Sequence, residues 1–113
     1  MVTPAIQTVV LVQFPFSDLT ATKLRPALVL AAAGRNDWVL CQLTSNPYAD
    51  TASVRIDDAD FISGTLQRPS FARPGKLFTA NTALITAEIG KLKPNKHRQI
   101  IAAVVALLEG RAP

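Results

Sequence analysis

Side chains able to act on an anion fall into three short segments of this chain. Phe14 to Leu30 reads Phe-Pro-Phe-Ser-Asp-Leu-Thr-Ala-Thr-Lys-Leu-Arg-Pro-Ala-Leu-Val-Leu. Within it a polar, turn-rich loop bearing Ser17 and Asp18 delivers Lys23 and Arg25 to the start of an apolar run. Thr44, Ser45 and Asn46 close another apolar run, and Ser70, Arg73 and Lys76 stand around a Pro-Gly pair. Cations fixed beside a sheet edge suit an anionic ligand, and arginine's planar fork of donors matches phosphate oxygens. The first segment equally describes a hairpin with a solvated loop whose arginine pins its own turn. Loops are frequent seats of function, but the tract alone does not separate these readings.

The remaining inventory disfavours other chemistries. One histidine, His97, and one cysteine, Cys41, cannot build a Cys/His cluster, and Asp57, Asp58 and Asp60 lack calcium-loop spacing. No Gly-rich dinucleotide or phosphate loop is present, so neither a metal nor a nucleotide cofactor is expected. A Ser-His-Asp triad would have to recruit His97 from a distant segment, with no nucleophile motif in support. Cys41 sits inside an apolar run and reads as a buried thiol in a reducing compartment.

Net charge is +4 and unevenly placed. Residues 1–60 hold four Lys/Arg against six Asp/Glu, whereas residues 61–113 hold eight against two. A basic half favours a polyanionic partner, nucleic acid being the commonest; a surface that merely keeps the protein soluble would look the same. No stretch approaches the roughly 20 apolar residues of a membrane span. The N-terminus lacks the basic region of a secretory signal, so a cytoplasmic location is expected. The length, 113 residues, predicts a single domain over 1–113 with its own core.

The elements that must position these residues are mostly strands. Thr8–Phe14 is β-branched and apolar, and Pro26 opens a second strand through Ala33, since proline is tolerated at a strand's first residue. Gly34 to Asp37 is a hairpin turn. Trp38–Ser45 alternates, with Val39, Cys41 and Leu43 on one face and Trp38, Leu40, Gln42 and Thr44 on the other. Ser53–Asp57 forms a fourth strand, and Asp57–Gly64 a turn or a single helical turn. Leu66–Thr79 is extended, with Pro74-Gly75 implying an edge or a bulge. Ala83–Ile89 is a short strand. A helix from Pro94 or Asn95 to Leu108 carries Ile100, Ile101, Val104, Ala106, Leu107 and Leu108 at helical spacing, with Gly110 as its stop. Lys96, His97 and Arg98, in its first turn, are expected to be solvated. This pattern predicts a mainly β fold, a small, strongly bent antiparallel sheet or barrel with the helix packed against it.

Taken in order, the blocks Phe-Pro-Phe-Ser-Asp-Leu, Lys23-Leu-Arg25-Pro26-Ala-Leu-Val-Leu, Leu43-Thr44-Ser45, Ser70-Phe-Ala-Arg73-Pro-Gly-Lys76-Leu-Phe-Thr79 and Ile89-Gly90-Lys91-Leu92 resemble the MazF/PemK/Kid family of bacterial toxins. The resemblance runs from about residue 8 to residue 109. It implies an SH3-like, CcdB-type barrel with a C-terminal helix. It also implies a homodimer, cleavage of single-stranded mRNA without metal, and inactivation by a cognate acidic antitoxin whose complex with the toxin binds DNA. Apolar runs facing both ways in Val9–Val12 and Ala27–Ala33 fit a dimer.

By motif, Arg25 and Thr44 match the family's catalytic Arg and Thr. The expected RNA-binding set is Ser17, Asp18, Lys23, Ser45, Asn46, Arg73 and Lys76. Phe16 and Tyr48 have rings suited to stacking on bases, with core packing the expectation for each. Two positions depart from the family pattern. Gln7-Thr8 stands where Gly-Asp/Glu is usual, and Gly75 stands where some members carry an acid able to act as a base. The alternatives on the same barrel are a CcdB-like poison of DNA gyrase, for which Arg25 and Thr44 would be unnecessary, and a catalytically weak nucleic-acid-binding barrel.

Overall fold

A computed structural model describes residues 3–15 and 22–111. Among the described residues seven strands precede one α-helix: β1 (Thr8–Pro15), β2 (Thr22–Gly34), β3 (Asp37–Thr44), β4 (Val54–Ile56), β5 (Phe61–Gly64), β6 (Ser70–Asn81), β7 (Ile85–Leu92) and α1 (Pro94–Leu108). They form one antiparallel sheet in the order β4-β6-β3-β2-β1-β7-β5. Register shifts interrupt four of its ladders. Extra residues on one strand bend it and increase its twist, so the sheet curls into a half-barrel, the mainly β class expected.

Both faces of the central strands are buried within this one chain. Toward α1, Val9, Leu28, Cys41, Leu43, Ile56 and Leu92 pack with Ile100 and Val104 of the helix. On the opposite face Val10, Val12, Ala27, Val29, Leu40 and Ile85 form a second cluster, bordered by Trp38 and Phe78. Each fully buried Leu or Ile contributes about 1.5–3 kcal/mol relative to exposure. The two-faced apolar runs of β1 and β2 are thus absorbed inside the protomer. The alternation read for β3 holds: Val39, Cys41 and Leu43 face the helix-side cluster, while Trp38 and Leu40 face the other.

Four local readings are corrected or sharpened. Pro26 lies inside β2 rather than at its start. Residues before Ala27 pair with β1 alone, leaving the other side open, so a missing N–H is tolerated there. The β2–β3 connection is a two-residue loop, Arg35-Asn36, with φ of 55° and 64°, and Gly34 pairs with Asp37. Both central residues are left-handed, which matches the twist of the flanking strands. β5 escaped the sequence reading because it has only four residues. Its Gly64, at φ 73°, lies so close to β7 that a Cβ would strike the Ile89 carbonyl. Pro74-Gly75 does mark a bulge: Leu43 pairs with Ala72 and Cys41 with Leu77, so Arg73 to Lys76 stand opposite Gln42 alone.

The first turn of α1 is the clearest correction. Lys96 is not solvated: its Nζ lies 3.8 Å from the Asp60 carboxylate and donates to the Arg55 carbonyl at 3.1 Å. Asp60 also caps its own 3-10 turn, Asp58–Asp60, by accepting from the Asp57 N–H at 2.8 Å. One carboxylate therefore joins that turn to the helix start and offsets a cation at the less favourable helix end. His97 is buried on the same face as Ile100 and Val104. Burial lowers its pKa below the usual imidazole value, so it is neutral at pH 7. At the other end Gly110 adopts φ 73°, Arg111 N–H donates to the Ala106 carbonyl at 2.7 Å, and Gly110 N–H donates to that of Leu107 at 3.1 Å. This is a Schellman stop.

Candidate functional site

Arg25 sits in β2 opposite Val12 of β1, half-buried, with exposed Lys23 two residues earlier. Thr44 is the last residue of β3, opposite Phe71 of β6, so Ser45 and Asn46 leave the sheet at this end of the strand. The connection from β5 to β6 returns to the same place. A cleft of about 240 Å3 results, lined by Lys23, Leu24, Arg25 and Pro26, by Leu43, Thr44 and Ser45, and by Leu66, Arg68 and Ser70. Two of the three segments singled out from sequence therefore meet, and from the third Ser70 joins them.

Its electrostatic character is one-sided. Lys23, Arg25 and Arg68 contribute three cations, and no carboxylate or histidine is among the described residues lining the cleft. Arg25 makes no ion pair among the described residues. A larger cleft of about 320 Å3 borders it across Arg68, lined also by Asp57, Asp58 and Gln67. Its two carboxylates would repel a phosphate, and both are already engaged, Asp57 by Arg55 Nε at 3.0 Å and Asp58 by the Thr65 hydroxyl. The cationic cleft is the one suited to an anion.

Thr44 is fixed by its own loop. Its hydroxyl accepts from the Asn46 N–H at 3.2 Å and donates to the Asn46 carbonyl at 3.0 Å, and Asn46 Oδ1 accepts from the Tyr48 N–H at 2.9 Å. Threonine and asparagine favour such local turns because short polar side chains reach backbone two residues on. Asn46 therefore serves the loop, and Ser45 lines the cleft.

Arg73 and Lys76 lie elsewhere. The bulge carries Arg73 toward the β3–β4 loop, where its Nε donates to Asp50 Oδ2 at 3.0 Å and its guanidinium lies over the Tyr48 ring at 5.8 Å. Lys76 is exposed, and a Cβ on neighbouring Gly75 would meet Leu107 of α1 at 3.6 Å, so position 75 faces the helix. Ser17, Asp18 and Phe16 fall outside the described residues. Tyr48, expected to pack in the core, is exposed.

The residue that sequence reasoning missed is Arg68. A signal was present: Arg25-Pro26, Arg68-Pro69 and Arg73-Pro74 are three copies of one dipeptide, each at or near a strand carrying candidate residues. The departure at Gln7 also has a structural counterpart. Gln7 holds φ 81°, a conformation that favours glycine, and its Nε2 donates to the Leu92 carbonyl at 2.6 Å.

Cys41 is chemically quiet. Its thiol is buried and points at the Arg73 carbonyl 3.2 Å away. Burial, with a smaller push from the Asp50 charge, raises its pKa to about 12, so a thiolate nucleophile does not form near neutrality. Among the described residues no three His, Cys, Asp or Glu side chains gather as metal ligands. No described helix is long and apolar enough to cross a membrane.

Comparison with known proteins places this geometry in context. Solved structures share the fold. An endoribonuclease in complex with its cognate antitoxin from a mycobacterial species superposes with a TM-score of 0.73 at 16% identity, covering 98% of this chain and 100% of that one. MazE–MazF from Deinococcus radiodurans gives 0.73 at 16% identity over 94% and 96% of the two chains. The Mycobacterium tuberculosis toxin MazF-mt6 gives 0.69 at 16% identity over 90% and 96%. Among curated protein sequences none matches significantly. The sequence pattern of one family, however, matches residues 7–108, a span that holds every strand of the curled sheet, the cationic cleft and the helix. The chain therefore belongs to the PemK-like, MazF-like toxins of type II toxin–antitoxin systems.

Proposed function

We propose that this toxin is a metal-independent endoribonuclease that cuts single-stranded mRNA in the cytoplasm. The observation that carries the reading is the convergence of Lys23, Arg25 and Arg68 with the Thr44, Ser45 and Ser70 side chains in one cleft. Cleavage by attack of a 2′-OH on the adjacent phosphate needs no enzyme nucleophile. It needs an acceptor for the 2′-OH proton, which a described lining without carboxylate or histidine leaves to solvent water. It also needs stabilisation of a crowded, doubly charged phosphorane and a proton for the leaving 5′ oxygen. Arg25 suits stabilisation of the phosphorane, because a preorganised cation aimed at developing charge is usually the largest single catalytic contribution. Thr44 suits the leaving oxygen: its one hydroxyl proton, given to the Asn46 carbonyl in the free protein, turns to that oxygen when RNA binds. Arginine stays protonated, so it supplies charge rather than removing the proton. Incubating the purified protein with end-labelled single-stranded RNA and EDTA should yield fragments. Intact RNA at high protein concentration would overturn the reading, and inhibition of DNA gyrase in its place would favour the gyrase-poison alternative.

A small acidic antitoxin fits the same cleft by charge and would exclude RNA from it; adding it should stop cleavage. Binding that leaves cleavage unchanged would refute this blocking role. We also propose a homodimer. Since the two-faced runs of β1 and β2 are buried internally, the apolar surface left for a second copy is the exposed set that includes Leu24, Leu84, Leu107 and Leu108. Light scattering at micromolar concentration should return twice the 12.1 kDa chain mass, and a monomer mass would contradict the dimer.

A further inference from the structure

Beside the cleft, the β3–β4 loop presents an aromatic ring in a way that packing does not explain. Tyr48 is 68% exposed. It and Ala49 are consecutive non-glycine residues in the left-handed region, at φ 53° and 61°. Such backbone persists only where surrounding structure over-determines it, and it clusters at ligand-handling sites. Here the determinants are explicit. Asn46 Oδ1 accepts from Tyr48 N–H at 2.9 Å, the Pro47 carbonyl from Asp50 N–H at 2.9 Å, and Asp50 Oδ1 from Ala52 N–H at 3.0 Å. Asp50 Oδ2 holds Arg73, and the Arg73 guanidinium lies 5.8 Å from the Tyr48 ring centroid. A partly buried ion pair (side chains 21% and 19% exposed) thus supports a ring that faces solvent.

The loop is continuous with the site. Hydrogen bonds run from Tyr48 through Asn46 to the Thr44 hydroxyl. Four residues of chain place the two Cα atoms at most about 14 Å apart. The chemistry of the presented surface is a planar π-face backed by a cation, beside a cleft that takes a phosphate. A nucleobase offers the matching planar face, and stacking on aromatics is how proteins hold unpaired bases without reading their edges. We infer that Tyr48 is a stacking platform for an unpaired base of the RNA, flanking the nucleotide whose phosphate sits at Arg25. Asp50 and Arg73 are positioning residues for that platform. This rests on the reading of the cleft given above.

Tyr48 is the only tyrosine, so biosynthetic 3-fluorotyrosine reports on this ring alone. The labelled protein should be titrated with a single-stranded RNA octamer methylated at every 2′-OH, which prevents cutting. The fluorine resonance should move as the octamer binds. Tyr48→Asn removes the ring while suiting the left-handed backbone, and it should bind the octamer at least about fivefold more weakly, as loss of a base–aromatic stack predicts. Tyr48→Phe keeps the ring and should match the wild type, and the melting temperatures of all three should agree. A wild type that binds while its resonance stays still, or a Tyr48→Asn variant that binds equally well, would overturn this inference alone. If the wild type binds no RNA, the reading of the cleft falls with it. If Tyr48→Asn loses antitoxin and keeps RNA, the ring is a protein contact and the inference is wrong.

Discussion

Arg25→Ala should lower the rate of RNA cleavage by at least about a hundredfold, because removing one preorganised donor at a developing oxyanion costs about 3–4 kcal/mol of barrier. Arg25 is half-buried in β2 and makes no ion pair among the described residues. Its truncation breaks no described salt bridge and should cost under about 1 kcal/mol of stability, mostly packing of its aliphatic stem. The large effect therefore belongs to the rate and the small one to the melting curve. Arg25→Lys should restore only part of the rate, since a point charge cannot hold two phosphate oxygens as the guanidinium fork does. Single-turnover rates beside thermal melts check this. Near-normal cleavage by Arg25→Ala would move the reacting phosphate away from this cleft.

The second large effect is expected at Thr44. Thr44→Ala should also reduce cleavage about a hundredfold through loss of a donor to the leaving oxygen. Unlike Arg25, Thr44 has a structural duty, for its hydroxyl closes the turn onto Asn46 with two hydrogen bonds. These are exposed, so their loss should cost about 0.5–1.5 kcal/mol. Thr44→Ser separates the roles. Serine keeps the hydroxyl and the turn and should retain most of the rate, whereas a purely steric need for the methyl group would leave Thr44→Ser as slow as Thr44→Ala.

Much of this fold was legible because its strands alternate and its helix carries its own punctuation. The period-two pattern of Trp38 to Thr44 assigned each side chain to a face, and Pro94 with Gly110 bounded α1 to within a residue. Longer-range facts were less visible. β5 is too short to show a period. The burial of His97 follows from its spacing with Ile100 and Val104, three and seven residues on, but a lone histidine among Lys96 and Arg98 reads as solvent-facing. At the site, Arg25, Lys23, Thr44 and Ser45 were found because strand ends in a small curled sheet meet. Arg73 was placed with them by motif, yet the size of the bulge after Ala72 turns it toward Asp50, and no local pattern encodes how far a bulge rotates a side chain. Arg68 escaped because it sits in an irregular connection, where backbone such as Gln67 at φ 68° follows no periodicity.

The central claim is that this cationic cleft promotes attack of a ribose 2′-OH on its own 3′-phosphate with expulsion of the next nucleotide's 5′ oxygen, with no metal and no enzyme nucleophile. The most direct measurement uses two single-stranded RNA oligonucleotides in EDTA, identical except that one carries a 2′-deoxy sugar at the nucleotide 5′ of the cut. The wild-type protein should cut the all-ribose strand to a 2′,3′-cyclic phosphate and a 5′-hydroxyl and leave the deoxy strand whole, while Arg25→Ala cuts neither at a comparable rate. Cleavage of the deoxy strand, a 5′-phosphate product, or activity that appears only when divalent metal is restored would contradict the mechanism proposed for this cleft.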